Sequence, residues 1–202
     1  SYYNVADKTS PRLVQRVRAI SEGHQISSLS FLGGGISILV GDSSGRIAQW
    51  FPVRDAENNY TLQQVRHFDS QKASITGVVA EYFRKGFLAI DKQGSVGIYH
   101  TTAHRTVKLE QVSEEPLIQL AVAPRANAML TENESGTLLF YLLDNEHPEI
   151  SWQSIWGKVW YESREKAEFI WQSSSASSDF EPKFSLTPLA FGTLKASLYA
   201  ML

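Results

Sequence analysis

An all-β fold assembled from repeated antiparallel sheets is predicted by three features of this 202-residue sequence. One turn-and-strand phrase occurs three times. Each copy is preceded by two strand-like runs at nearly the same offsets. The chain also carries 43% apolar residues, among them 5 Trp, 8 Tyr and 10 Phe, which supply the cores that stacked sheets need.

The phrase runs Gly41 to Trp50, Ile90 to Tyr99 and Glu132 to Tyr141. Each copy has Asp or Asn (Asp42, Asp91, Asn133), two residues, Gly (Gly45, Gly94, Gly136), one residue, an aliphatic, two residues and an aromatic (Trp50, Tyr99, Tyr141). This is hairpin chemistry. The acid or amide opens a turn by bonding its own backbone, and Gly takes the positive φ. The glycines lie 49 and 42 residues apart, near the period of a four-stranded propeller blade.

Upstream, Ile26 to Phe31, Ile75 to Ala80 and Leu117 to Val122 read as strands. A turn follows each: Gly33-Gly34-Gly35, Arg84-Lys85-Gly86 and Pro124-Arg125. Second apolar runs come next, at Ile36 to Val40, Phe87 to Ile90 and Ala126 to Leu130. Strand, turn, strand, Asp-Gly turn, strand and a longer connection make one blade. A β-sandwich with similar hairpins is the alternative, and the agreement of spacing in three copies favours the propeller. Three blades are too few to close a ring, so the chain reads as a propeller fragment of about three blades within a longer protein. Leu13 to Ile20 is expected to be a strand of a further, partial blade.

The expected organisation is 1–150 for the repeats (about 21–69, 70–112 and 113–150), 151–183 for a Trp- and Ser-rich connector, and 184–202 for an apolar helix. Trp152, Trp156, Trp160 and Trp171 crowd into the connector, ahead of the solvated run Ser173 to Ser178. In the last segment Leu186, Leu189, Leu194, Leu198 and Met201 recur at helical spacing, and only Lys195 is charged. Ser185 or Thr187 can cap that helix, and Pro188 is tolerated in its first turn. It barely reaches the length of a membrane span, and packing on the domain is the alternative.

Two resemblances follow from these residues. Gly23-His24, Phe31 to Gly35 and Gly41 to Phe51 resemble a WD repeat, departing from it where Phe51 replaces the usual Asp after Trp50. That resemblance implies a propeller blade and says nothing of a ligand. Second, Gly157 to Glu162, Trp171 to Ser175, Asp179 to Leu186 and Phe191 to Lys195 resemble the long-form permease subunit of bacterial phosphate ABC transporters. The Gly41-to-Arg54 phrase, Lys85 to Phe87 and Gly97 to Thr102 resemble that family's large extracytoplasmic insert. This resemblance implies a domain on the extracytoplasmic, periplasmic side of the bacterial cytoplasmic membrane, ahead of spans lying mostly beyond Leu202. The implied partners are the other subunits of an ATP-driven importer: a second permease, an ATPase and a phosphate-binding protein.

Other functions find little support. With 19 basic and 21 acidic residues the net charge is −2, which argues against nucleic acid as a partner. No cysteine is present, so no disulfide, thiol nucleophile or thiolate metal site exists. Ser1 to Arg12 has no signal-peptide core. His100 and His104 have a zinc-compatible spacing but lack a third ligand and read as surface histidines. Glu146, His147 and Glu149 read as a solvated turn, and Glu114-Glu115 as an exposed acidic pair. Gly33-Gly34-Gly35 lacks the Lys-Ser/Thr and helix of a phosphate loop. Asn59 and Asn133 fit the glycosylation pattern, which is common by chance. Asp42, Asp91 and Asn133 are turn formers, and no Gly-x-Ser-x-Gly elbow occurs. No catalytic, metal or cofactor site is expected, and no substrate-binding residue can be assigned. Arg46, Arg54, Arg66, Arg84, Arg105, Arg125 and Arg164 are scattered, so phosphate binding by this chain is not expected.

Two functions remain: a permease's extracytoplasmic scaffold or docking domain, and a stand-alone WD-repeat-like interaction module without a transport role. In either, open sheet edges make self-association, or cover of the end blade by the Trp-rich tail, the expectation.

Overall fold

A computed structural model describes residues 1–144, 147–172 and 183–201. Ser173 to Ser178, Asp179 to Pro182, Glu146 and Leu202 lie outside the described residues. The strands are β1 Tyr2–Asn4, β2 Arg12–Gln15, β3 Ile26–Phe31, β4 Ile38–Asp42, β5 Ile47–Arg54, β6 Tyr60–His67, β7 Ile75–Ala80, β8 Gly86–Asp91, β9 Ser95–His100, β10 Arg105–Gln111, β11 Leu117–Val122, β12 Ala128–Asn133 and β13 Leu138–Leu142. Beyond them come α1 Trp152–Trp156, the short pair β14 Trp171–Gln172 and β15 Lys183–Phe184, and α2 Leu186–Ala200.

Three antiparallel sheets repeat one plan: β3-β4-β5-β6, then β7-β8-β9-β10, then β11-β12-β13. The first strands are neighbours, β3 beside β7 and β7 beside β11. The sheets therefore stack as blades, with β3, β7 and β11 on the inside. The molecule is an all-β, WD-repeat-like propeller arrangement with a C-terminal helix.

The three phrases become the β4–β5, β8–β9 and β12–β13 hairpins. In each the acid or amide side chain closes the turn. Asp42 Oδ1 accepts from the Ser44 N–H at 2.8 Å, Asp91 Oδ1 from Gln93 N–H at 2.9 Å and Ser95 N–H at 2.8 Å, and Asn133 Oδ1 from Thr137 N–H at 2.7 Å. Gly45, Gly94 and Gly136 then take φ of 89°, 83° and 81°.

Two cores hold the blades together. Leu39 and Ile47 of the first sheet meet Ile75, Val78, Phe87 and Tyr99 of the second, with Phe68 between them. The rings of Phe87 and Tyr99 stack at 4.9 Å, and Phe68 packs edge-on against both. The other face of the second sheet, with Leu88, Ile90, Val96 and Ile98, meets Leu117 and Met129 of the third. Covered on both sides, β8 and β9 bury every residue, which accounts for their nearly continuous apolar sequence.

Three expectations need correcting. The strand expected over Leu13 to Ile20 is only Arg12–Gln15, and it pairs with Tyr2–Asn4 in a hairpin of its own. The third sheet has three strands among the described residues, not four. After β13 the chain leaves that sheet: Arg105 of β10 donates to the Ile150 carbonyl at 3.1 Å, so the following segment is drawn back beneath the second sheet. Third, Ser185 stands at the N-cap of α2 without a side-chain capping bond, and Thr187 instead donates to the Trp156 carbonyl at 2.8 Å.

Candidate interaction surfaces

The Trp-rich segment after β13 works as a strap rather than a loose connector. Ser151 Oγ donates to the Ala103 carbonyl at 3.1 Å and caps α1 together with Ser154. Further on, Val159 and Tyr161 are buried, and Trp160 meets Phe51 edge-on at 5.9 Å. Glu162 anchors the strap to two blades. Its carboxylate accepts from Lys85 Nζ and from Ser37 Oγ, both at 2.5 Å. Ser37 accepts in turn from Gln49 Nε2 at 2.9 Å, Gln49 Oε1 from Arg66 at 2.7 Å, and the Arg66 guanidinium also donates to the Trp160 carbonyl. Tertiary folding alone brings these residues together. The strap is thus tied to the first sheet, one of the two end blades, and to the second.

That leaves the outer face of the third sheet open. Along β13, Tyr141 turns inward to the core shared with the second sheet, while Leu138, Phe140 and Leu142 turn outward and are 62%, 65% and 80% exposed. Directly opposite Phe140 on β12 stands Leu130, itself opposite Ala121 on β11. An apolar row therefore crosses the sheet. On the first sheet the corresponding outward side chains Leu29 and Phe31 are also exposed, but Val40 and Trp50 are buried. A cleft of about 570 Å³ separates Arg18 and Ile20 from Val40, Ala48 and His67 on that side.

A second exposed feature is the β7–β8 turn. Glu81, 1% exposed, receives both arms of Arg84, at 2.7 and 3.1 Å. Burial pushes the Glu81 carboxyl above its ordinary range, Arg84 draws it down, and the neighbouring Glu149 pushes it up again. The turn carries Tyr82 and Phe83 outward, ring against ring at 4.6 Å.

The residues singled out by sequence are dispersed. His100 is a correction: it is buried, not on the surface, with Nδ1 accepting from the Ala103 N–H at 3.3 Å. Burial, together with the charges of Arg84, Arg66 and Arg105, lowers its pKa to about 4. Its place on the same strand face as the buried Val96 and Ile98 was the signal for this. His104 lies on the exposed side and meets the His67 carbonyl through Nε2 at 2.7 Å. His147 and Glu149 approach to 3.6 Å at the surface. No group of three or more His, Asp or Glu among the described residues is arranged to hold a metal. Gly33 to Gly35 lie in the β3–β4 turn, where Gly33 packs on the carbonyls of the β7–β8 turn. Arg66, Arg84 and Arg105 are each engaged by a protein partner, namely Gln49, Glu81 and the Ile150 carbonyl.

α2 touches α1 and the short β14–β15 pair. None of its residues is buried, and Phe191, Leu194, Leu198 and Tyr199 are each more than half exposed. Among the described residues no helix is long and apolar enough to cross a membrane.

No family model and no curated protein matches this sequence. Solved structures do match in fold. Sqt1 from Chaetomium thermophilum aligns with TM-score 0.52 and 14% identity over 61% of this chain and 32% of that one. A chain of the mitotic checkpoint complex aligns with TM-score 0.53 and 14% identity over 68% and 40%. Sqt1 from the same organism, bound to the N-terminus of ribosomal protein L10, aligns with TM-score 0.52 and 15% identity over 60% and 34%. This chain thus spans roughly a third of the length of the structures it matches. These WD-repeat propellers share its fold. They give no support to the phosphate-permease resemblance.

Proposed function

We propose that this chain is a non-catalytic, WD-repeat-like protein-interaction module whose third sheet is completed by a sheet from a protein partner. The observation that carries the reading is the outer face of β13. Leu138 to Leu142 is an unbroken apolar run, the pattern of a strand covered on both faces. The equivalent β9 is covered on both faces, whereas β13 is covered on one. Contiguous exposed apolar surface of this kind marks an interaction site. The matched propellers come from protein assemblies, one of them holding the N-terminus of a ribosomal protein. The division into 1–150, 151–183 and 184–202 belongs to this proposal. Sedimentation velocity tests it: without its natural partner the chain self-associates with rising concentration, and Leu138→Asp/Phe140→Asp restores a monomer. A wild-type chain that stays monomeric at every concentration counts against it.

α2 favours a second reading compatible with the first. Its segment carries the resemblance to the start of a phosphate permease, and none of its side chains is fully buried. In that reading the module is an extracytoplasmic docking domain of an ABC importer, and its partner is another importer subunit. Photo-crosslinking from Phe140 in cells separates the two settings by the identity of the captured protein.

A further inference from the structure

Exposed apolar side chains are divided unequally between the two ends of the blades. One end carries the Asp/Asn-Gly turns and the connections between sheets. Its segments 18–25, 43–46, 68–74, 92–94, 112–116 and 134–137 contain no large exposed apolar side chain. The opposite end carries the β7–β8 turn, where Tyr82 and Phe83 are 73% and 76% exposed. This tip is held firmly: Arg84 grips the buried Glu81, Lys85 Nζ donates to the Gly33 carbonyl at 2.7 Å, and Thr101 donates to the Lys85 carbonyl at 2.8 Å. A rigid aromatic tip loses little freedom on docking.

The strap crosses this same end. The bonds from Ser151 to Ala103 and from Arg105 to Ile150 clamp α1 beside the β9–β10 turn, which leaves Trp152 82% and Trp156 46% exposed. From α1 the Thr187 bond to the Trp156 carbonyl fixes the start of α2.

The character of α2 identifies what this end meets. At about 100° per residue, Leu186, Leu189, Phe191, Leu194, Leu198 and Tyr199 are spread around the axis with no wide polar face between them, and Lys195 is the single charge. A protein groove shields one stripe of a helix, whereas lipid surrounds it, and a helix apolar on every side fits the second. Trp and Tyr beside such a helix suit the headgroup layer, where an apolar ring and a polar tip are both accommodated.

The geometry points to a lipid bilayer as the surface under this end of the propeller, with Tyr82, Phe83, Trp152 and Trp156 in the interfacial layer beside α2. This rests on the membrane-associated reading of α2 and adds to it which end faces the lipid and through which side chains.

The absence of native cysteine allows a direct test. Single-cysteine variants of the whole chain, Phe83→Cys, Trp152→Cys and Ser135→Cys, carry an environment-sensitive fluorophore. They are mixed with vesicles of equal parts phosphatidylcholine and phosphatidylglycerol, and flotation is measured in parallel. Labels at 83 and 152 shift to the blue on binding, and the label at 135 does not. Tyr82→Ser/Phe83→Ser, with an unchanged circular dichroism spectrum, partitions about tenfold more weakly. Flotation with silent labels at 83 and 152 overturns the assignment of this end while leaving α2 as the anchor. No flotation overturns the membrane reading as well. A blue shift at 83 that grows with protein concentration in the absence of vesicles assigns the surface to a second copy and also overturns the proposal.

Discussion

Lys85 and Glu162, 77 residues apart in sequence, form an ion pair of 2.5 Å in which each side chain is only 11% exposed. It fixes the strap to the turn that presents Tyr82 and Phe83. Removing one partner leaves a nearly buried charge without its counter-ion, at a cost of about 3 kcal/mol. Glu162→Gln is therefore expected to lower the urea midpoint clearly and to speed hydrogen exchange at Val159 and Tyr161. Lys85→Met/Glu162→Met, which removes both charges, is expected to cost less than either single change. A Glu162→Gln midpoint equal to the parent's refutes a structural role for the pair.

The three turn glycines are equivalent in sequence but not in surroundings. A Cβ on Gly94 would lie 2.1 Å from the Ser113 carbonyl oxygen, and one on Gly45 would lie 2.2 Å from that of Gln71. At Gly136 it would meet nothing within 4 Å. All three have positive φ, so Gly136→Ala is expected to cost about 1 kcal/mol from backbone strain alone. Gly94→Ala and Gly45→Ala add a backbone collision and are expected to cost at least twice that. Chemical denaturation of the three variants compares them, and equal losses contradict the account.

Acid sensitivity follows from His100. Its folded pKa of about 4 lies below the ordinary 6.5, so between these values the unfolded chain binds a proton that the folded chain refuses. The stabilisation is intact above pH 6.5 and is lost as the pH falls towards 4, with a total on the order of 3 kcal/mol. His100→Asn, whose side-chain oxygen can still accept from Ala103, is expected to flatten the stability profile across this window. Denaturant midpoints at neutral pH and near pH 4.5 provide the comparison. An unchanged slope in the variant shows that another group governs acid unfolding.

Phosphate binding is expected to be absent. Arg66 holds Gln49 and Trp160, Arg84 holds Glu81, and Arg105 holds Ile150. An anion site built from any of these arginines would have to break these bonds. Titration calorimetry with inorganic phosphate at physiological salt is expected to show no saturable heat. One-to-one binding in the micromolar range contradicts this.

The parts of the fold that were legible in the sequence are those governed by local chemistry. β3, β7 and β11 span the runs read as strands, because each begins a blade at a nearly fixed offset from an Asp- or Asn-opened turn. Turn formation by Asp42, Asp91 and Asn133 was equally local. What could not be read depends on distant chain segments meeting. Nothing near Glu162 in sequence marks Lys85 or Ser37 as its partners, and nothing near Ile150 signals that Arg105 draws the strap away from β13. The open face of the third sheet was half legible. The apolar run Leu138 to Leu142 shows that both faces suit burial, but only the tertiary structure shows which one the second sheet covers.

The central claim is that the outer face of β13 receives a partner protein. A photo-crosslinking amino acid at Phe140, compared with one at Ser135 on the polar turn beside it, tests this in cells producing the protein. The account predicts one dominant adduct from position 140, lost with Leu138→Asp or Leu142→Asp and absent from position 135. A silent position 140, or equal adducts from both positions, would contradict it.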